Sequence, residues 1–113
     1  MAATLIKGAK TNIAAATNVA FVDGLPSPFH VAVQIVGTFT ATVTFEVTVN
    51  GTDWASIELL PTTDLADTAL VASATAAGLF ISKYPLAVSG IRARVSAFTS
   101  NTDGAISLRT SCF

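Results

Sequence analysis

The chain has 113 residues, of which 51% are hydrophobic and only 12% are charged, and its formal net charge is −1. This length fits a single domain, residues 1–113, whose core needs no disulfide or metal to hold it. The composition argues against a nucleic-acid-binding protein, because clustered Lys and Arg are missing, and no apolar run reaches the roughly 18 residues of a membrane helix. A surface with so few charged residues is suited to being covered by a partner protein.

The N-terminal segment is weakly patterned and carries only Lys7 and Lys10 as charged side chains. It lacks the apolar stretch of a signal peptide, so we expect synthesis in a cytoplasm. We expect the first 25 residues to hold one or two further strands or an extended arm. The arm, about residues 1–12, would order on a partner or add a strand to a neighbour's sheet. Cys112 is the only cysteine and cannot form an internal disulfide. It is predicted to be a small apolar residue of the last strand, with a reactive or intermolecular thiol as the alternative.

Alternation with a period of two dominates the chain and predicts β-strands. Residues 29–36, FHVAVQIV, alternate in this way, and residues 37–49 do so most clearly. The short connection at Gly37 predicts that these two strands pair as antiparallel neighbours. In the second strand, the predicted core face comprises Phe39, Ala41, Val43, Phe45, Val47 and Val49, and the opposite face comprises Thr38, Thr40, Thr42, Thr44, Glu46 and Thr48.

Turn signals divide the rest of the chain into short pieces. Residues 50–53, Asn-Gly-Thr-Asp, predict a turn before a strand over 54–60, and Pro61 is expected to end it. Residues 61–78 are predicted to form a long loop with one short strand near 69–73. Further strands are predicted at 79–84, 85–90, 91–98 and 105–113, with Ile106, Leu108, Thr110 and Cys112 on one face of the last. In 91–98, one predicted face comprises Ile91, Ala93, Val95 and Ala97, and the opposite face comprises Arg92, Arg94, Ser96 and Phe98. Seven to nine short strands predict an all-β fold, a single antiparallel β-sandwich of jelly-roll type.

Catalytic and metal-binding patterns are weak. His30 has Ser27 and Asp23 nearby in sequence, but a triad requires a geometry that spacing does not supply. Glu58 and two aspartates of the 61–78 segment, Asp64 and Asp67, offer oxygen ligands without a calcium-loop pattern. We therefore predict no catalytic residues, no metal, no cofactor and no enzyme activity.

For three side chains the sequence permits either a ligand-binding role or a structural role. Trp54 either stacks on a sugar ring or covers one end of the sandwich core. Arg92 and Arg94 lie two residues apart on one face of a strand and either clamp a partner's carboxylate or form a cross-strand pair with Glu46 or Glu58.

Three stretches, GTFTATVTFEVTVNGTDWASI, GLFISKYPLAVSGIRARVSAFTS and GAISLR, together resemble a β-sandwich module of tailed-bacteriophage virions. The resemblance covers roughly residues 29–109 and consists of a Thr-rich strand, an Asn-x-Thr-x-Trp turn, an Arg-x-Arg strand and a final strand. Asn101-Thr102-Asp103 departs from the shorter turn that is usual there. Such modules serve as head decoration proteins, head fibres and tail appendages.

The resemblance implies a virion structural protein, most simply a capsid decoration or cementing protein on the head surface. Its implied partners are the major capsid protein and two further copies in a homotrimer. The candidate interface comprises Thr38, Thr40, Thr42, Thr44, Thr48, Arg92 and Arg94, because threonine forms strands well and meets a partner without the desolvation cost of charge. The alternative is a carbohydrate- or receptor-binding module of a tail or head fibre, with Trp54 contacting sugar.

Overall fold

The structure is a computed structural model, and it describes residues 4–6, 10–16, 19–22, 29–62 and 70–112. Within these residues the chain forms eleven strands and no helix, which confirms the all-β prediction. The strands are β1 (Thr4–Ile6), β2 (Lys10–Asn12), β3 (Val19–Val22), β4 (Phe29–Val36), β5 (Phe39–Thr48), β6 (Ala55–Ser56), β7 (Leu60–Pro61), β8 (Ser73–Ala74), β9 (Gly78–Ile81), β10 (Gly90–Asn101) and β11 (Ala105–Cys112).

Two antiparallel sheets pack face to face as a β-sandwich, as predicted. Sheet A has the order β1-β11-β4-β9-β7, and β2 also pairs with β11. Sheet B has the order β3-β10-β5-β6, and β8 also pairs with β5. The predicted hairpin of β4 with β5 is wrong, because the two strands lie in opposite sheets. The short Gly37 connection is a corner between the sheets, and the Thr-rich strand β5 pairs instead with β10.

The chain changes sheet several times, and two of these connections, from β4 to β5 and from β10 to β11, form neighbouring corners. Gly37 has a φ of 91°, a conformation that glycine adopts without steric cost. A Cβ on Gly37 would lie 2.6 Å from the carbonyl carbon of Asp103, so the two corners are in close contact. The backbone N–H of Thr102 donates to the carbonyl of Thr38 at 3.0 Å and joins them further.

The core fills the space between the inner faces of the four long strands. The predicted inner residues of β4 are all buried, as are Ile106, Leu108 and Thr110 of β11. Phe45 is fully buried, and its ring centroid lies 5.2 Å from that of Phe80. Because each of these side chains alternates with an outward one, the sheet register is fixed by the core.

The predicted alternation fails at the ends of two strands. Val49 is 72% exposed, because it follows the end of β5, where the chain enters the turn. In β10 the register shifts between Val95 and Ala97, so that Ala97 is exposed and Phe98 packs on the core, the reverse of the prediction. Such a β-bulge places one extra residue in a strand and inverts the faces that follow it. In β10 a second shift, between Phe98 and Ser100, reverses this inversion.

The shorter predicted segments fit in part. The strand predicted over 54–60 is divided into β6 and β7, and Pro61 belongs to β7, an edge strand in which proline's missing N–H is tolerated. Part of the predicted 61–78 loop, residues 63–69, lies outside the described residues. Residues 4–6 and 10–12 pair with β11 of the same chain, which fits the further strands predicted for this segment as one alternative. No described helix is long and apolar enough to cross a membrane.

Candidate functional site

The outer face of sheet B carries a compact ionic cluster of Glu46, Arg92 and Arg94. Glu46 and Arg92 are directly opposed in the β5–β10 register, and Arg94 lies two residues further along β10. Nε of Arg92 donates to Oε1 of Glu46 at 2.7 Å. Arg94 donates from Nε to Oε1 at 3.0 Å and from Nη2 to Oε2 at 3.4 Å. The cross-strand pair that was the structural alternative for the two arginines is therefore present, with Glu46 as the shared partner.

The two arginines decide the charge state of Glu46. Burial raises the pKa of its carboxyl, but the hydrogen bonds from Arg94 and Arg92 and their positive charges outweigh burial and hold the pKa below its ordinary value. The bond to Glu46 in turn raises the pKa of Arg94. Two guanidinium groups on one carboxylate leave the cluster with a net charge of about +1 at neutral pH.

Trp54 lies on the same outer face, just before β6. It is half-buried and does not belong to the hydrophobic core among the described residues. The guanidinium carbon of Arg92 lies 4.3 Å from its ring centroid, a cation–π distance. Trp54 therefore covers the ionic cluster and not the end of the core, which differs from the structural alternative predicted for it.

The predicted turn at residues 50–53 positions Trp54. Oδ1 of Asn50 accepts hydrogen bonds from the backbone N–H groups of Thr52 and Asp53, both at 2.8 Å, and Gly51 has a φ of 79°. The hydroxyl of Thr48 accepts the N–H of Gly51 at 3.0 Å. Thr48 is only 2% exposed, so this residue of the candidate interface serves the turn and is not on the surface.

The remaining threonines form a neutral surface beside the cluster, which we call the threonine face. Thr38 and Thr40 are exposed, and Thr42 and Thr44 are half-buried. Four residues of β10 extend this surface: Ser96, Ala97, Thr99 and Ser100, all exposed. The hydroxyl of Thr44 donates to that of Ser96 at 2.8 Å, and a shallow depression of about 240 Å³ lies between Thr40, Thr42 and Thr99.

The contribution of β10 to this face was missed, because simple alternation would place Ala97 in the core and assigns no bulge. A local signal existed: apolar and polar residues alternate from Ile91 to Ala97, and Phe98 is a large apolar residue where the alternation calls for a polar one. Of the seven candidate interface residues, the structure brings five to the outer face of sheet B. Thr38 is exposed at the corner before β5, and Thr48 is buried.

His30 and Glu58 are the other candidate residues that the structure describes. Nδ1 of His30 lies 3.5 Å from Oγ of Ser82, and that oxygen already accepts the N–H of Val31 at 3.0 Å. Its predicted companions Asp23 and Ser27 lie outside the described residues, as do Asp64 and Asp67. Glu58 is exposed, and no cluster of three metal-ligating side chains occurs in the part of the chain that the structure describes.

The fold has a counterpart among solved structures. The structure is similar to the crystal structure of the SPBc2 prophage-derived protein YomS, with a TM-score of 0.70 and 9% sequence identity. The alignment covers 97% of this chain and 93% of that one. No protein-family model and no curated protein matches the chain. At this low identity the likeness shows a shared fold over nearly the whole of both chains.

Proposed function

We propose that this protein is a structural subunit of a bacteriophage particle, and that it acts as a capsid decoration protein on the outer surface of the head. Two lines support a phage setting. The Thr-rich strand, the turn and the Arg-x-Arg strand resemble virion modules, and the similar fold of YomS is that of a prophage-derived protein. The more specific part of the proposal, the decoration role, is argued from the surface of sheet B.

The observation that carries the proposal is the chemistry of this surface. The threonine face presents hydroxyl and methyl groups without a charge, so a partner can cover it at a small desolvation cost. Beside it, Trp54 and Arg92 are residue types that dominate binding energy at protein interfaces. Glu46 and the Trp54 ring hold the Arg92 guanidinium in place, which lowers the entropy lost on binding. In the described structure its terminal nitrogens have no hydrogen-bond partner and are open to a partner's carboxylate.

The mechanism is burial of surface without bond chemistry. A subunit that binds the assembled shell, and not its dissociated protein, stabilises the shell by mass action. We propose a homotrimer, in which three copies bring three threonine faces to one symmetry axis of the shell and multiply the weak contact of each. The major capsid protein is then the partner.

Purified protein mixed with undecorated heads tests the proposal. We expect saturable, stoichiometric binding by sedimentation, a higher disruption temperature of the shell, and the mass of a trimer by light scattering. Mass spectrometry of purified particles should detect the protein. Failure to bind the heads, together with absence from particles, contradicts the decoration role.

A second candidate is a carbohydrate-binding module of a tail or head fibre, favoured by the position of Trp54 outside the core. Its ring is partly accessible and lies beside arginine side chains that can donate to sugar hydroxyls. A glycan array with Trp54→Ala should then lose binding that the unmodified protein shows. Tyr84→Ala is the matched control, since Tyr84 is 65% exposed and lies outside the cluster. Absence of binding by the unmodified protein contradicts this candidate.

A further inference from the structure

The outer face of sheet A carries a groove, on the side of the sandwich opposite the threonine face. It has a volume of about 500 Å³ and is continuous with a smaller depression of about 310 Å³, because Ala32 and Arg109 line both. Ala32 forms the floor, since its side chain is much shorter than those of its neighbours on both sides. The lining side chains that the inference uses are Lys10, Ala32, Gln34, Leu79, Ile81 and Arg109.

The two walls of the groove differ in chemistry. Lys10 and Arg109 form one wall, and within the described structure neither has an ion pair. Leu79, 37% exposed, and Ile81 form the opposite wall. Val36, 45% exposed, continues the apolar surface beyond Gln34 on the same face. Cations without an ion pair that face partly exposed aliphatic side chains fit a ligand with both kinds of group.

The sheet register sets the spacing of these walls. Arg109, Ala32 and Ile81 form one row across three strands, and Ser107, Gln34 and Leu79 form the next, with Lys10 opposite Ser107. Successive rows are two residues apart, which is about 7 Å along a strand. An extended polypeptide has the same repeat between residues i and i+2, and its alternate side chains point to opposite sides.

We propose that this groove binds an extended acidic segment of a partner protein. Carboxylates at positions i and i+2 face Lys10 and Arg109, and aliphatic side chains at i+1 and i+3 face Leu79 and Ile81. Nucleic acid fits less well, because one wall is apolar and the chain has a net charge of −1. The proposal is independent of the decoration role, since it concerns the opposite face, and it gives the subunit a second attachment surface.

Fluorescence anisotropy with a labelled eight-residue peptide of alternating Glu and Leu tests the proposal. We expect saturable binding that weakens by about tenfold or more when Gln replaces Glu in the peptide, since charge pairing is then lost. Amide shifts in ¹H–¹⁵N spectra should map to Ala32, Gln34 and Ser107. No binding at millimolar peptide, equal binding of the two peptides, or shifts located elsewhere would overturn the proposal.

Three variants sharpen the test. Arg109→Glu should weaken binding by about tenfold or more, and Ala32→Phe, which fills the floor, should abolish it without changing the charge. Lys83→Glu makes the same kind of charge reversal at an exposed position outside the groove and should change affinity less than about twofold. Equal losses in Lys83→Glu and Arg109→Glu would show non-specific attraction and overturn the proposal. Concentration-dependent shifts at the groove amides without peptide would assign the groove to a second copy and also overturn it.

Discussion

Oδ1 of Asp103 accepts a hydrogen bond from the backbone N–H of Thr38 at 2.7 Å, between the β4–β5 corner and the β10–β11 corner. Asp103→Ala should therefore lower the free energy of unfolding by about 1–2 kcal/mol, because the acceptor is charged but the bond is exposed to solvent. Urea denaturation measures the loss. Asp103→Asn keeps an acceptor oxygen and should lose less. An unchanged midpoint for Asp103→Ala would show that water replaces the bond at no cost.

Gly37 should tolerate a side chain poorly. Gly37→Ala places a Cβ against the Asp103 backbone in a left-handed conformation, so we expect a loss of about 2–4 kcal/mol in stability. Gly51→Ala controls for the backbone conformation alone, because Gly51 also has a positive φ. Thermal unfolding of both variants measures the difference. Equal losses would indicate that the corners separate easily to admit a methyl group.

The ionic cluster predicts a pH dependence of stability. The pKa of Glu46 is lower in the folded protein than in the unfolded chain, so its contribution is present above the ordinary glutamate pKa of about 4.3 and is lost as the pH falls through the folded value. Urea unfolding between pH 7 and pH 3 should show this loss. Glu46→Gln should be less stable at pH 7 by about 1–2 kcal/mol and should show a shallower decrease on acidification.

Glu58→Gln is the matched control for that experiment, because Glu58 is exposed. It should keep the stability and the pH profile of the unmodified protein within about 0.5 kcal/mol. A profile for Glu46→Gln that superimposes on the unmodified one would mean that other carboxylates carry the acid sensitivity.

The N-terminal pairing makes a deletion informative. Removing residues 1–10 takes away β1, whose three residues pair with β11, and the first residue of β2. We expect the free energy of unfolding to fall by about 2–3 kcal/mol, because the hydrogen bonds to β11 are lost and its edge is exposed. Urea unfolding measures this change. The opposite result, full stability with weaker assembly, would restore the extended arm that the sequence predicts.

The sequence predicted what local alternation determines. The strands β4, β5 and β11 and the buried faces of Val33, Phe45 and Leu108 follow from period two, because each inward residue has to meet a core. The turn at 50–53 follows from the conformational preferences of Asn and Gly. Strand pairing did not follow, because a corner and a hairpin both need a short connection with glycine, and only packing of distant strands distinguishes them.

For the candidate site, the sequence indicated which residues take part better than it indicated how they are arranged. The sequence placed Arg92 and Arg94 on one face and offered Glu46 or Glu58 as a cross-strand partner, and the register of the unshifted part of β10 selects Glu46. The Trp54–Arg92 contact depends on how the turn folds over sheet B, and no spacing in the sequence encodes it. Ala97 joined the threonine face through a β-bulge, whose location depends on long-range pairing of β10 with β5.

The threonine face can be tested directly with Thr42→Lys. Thr42 is half-buried on the outer face of sheet B, opposite Ala97, so the variant leaves the core untouched. If a partner covers this face, the new ammonium group has to lose its water, and association should weaken by several kcal/mol, on the order of 2–5. If the face meets only solvent, stability should change by no more than about 0.5 kcal/mol and assembly should be normal.

Two controls separate assembly from folding in that experiment. Thr52→Lys adds the same side chain at an exposed turn position outside the face and should assemble normally. Phe45→Ala removes a fully buried ring and should cost about 3–5 kcal/mol of folding stability. Oligomer mass by light scattering and binding to undecorated heads are the measurements for all three variants. We expect Thr42→Lys to fold like the unmodified protein and to fail in both assays, because its charge lies where the neutral surface is proposed to meet its partner. A normal trimer and normal head binding by Thr42→Lys would assign the threonine face to solvent and move the contact to the loops.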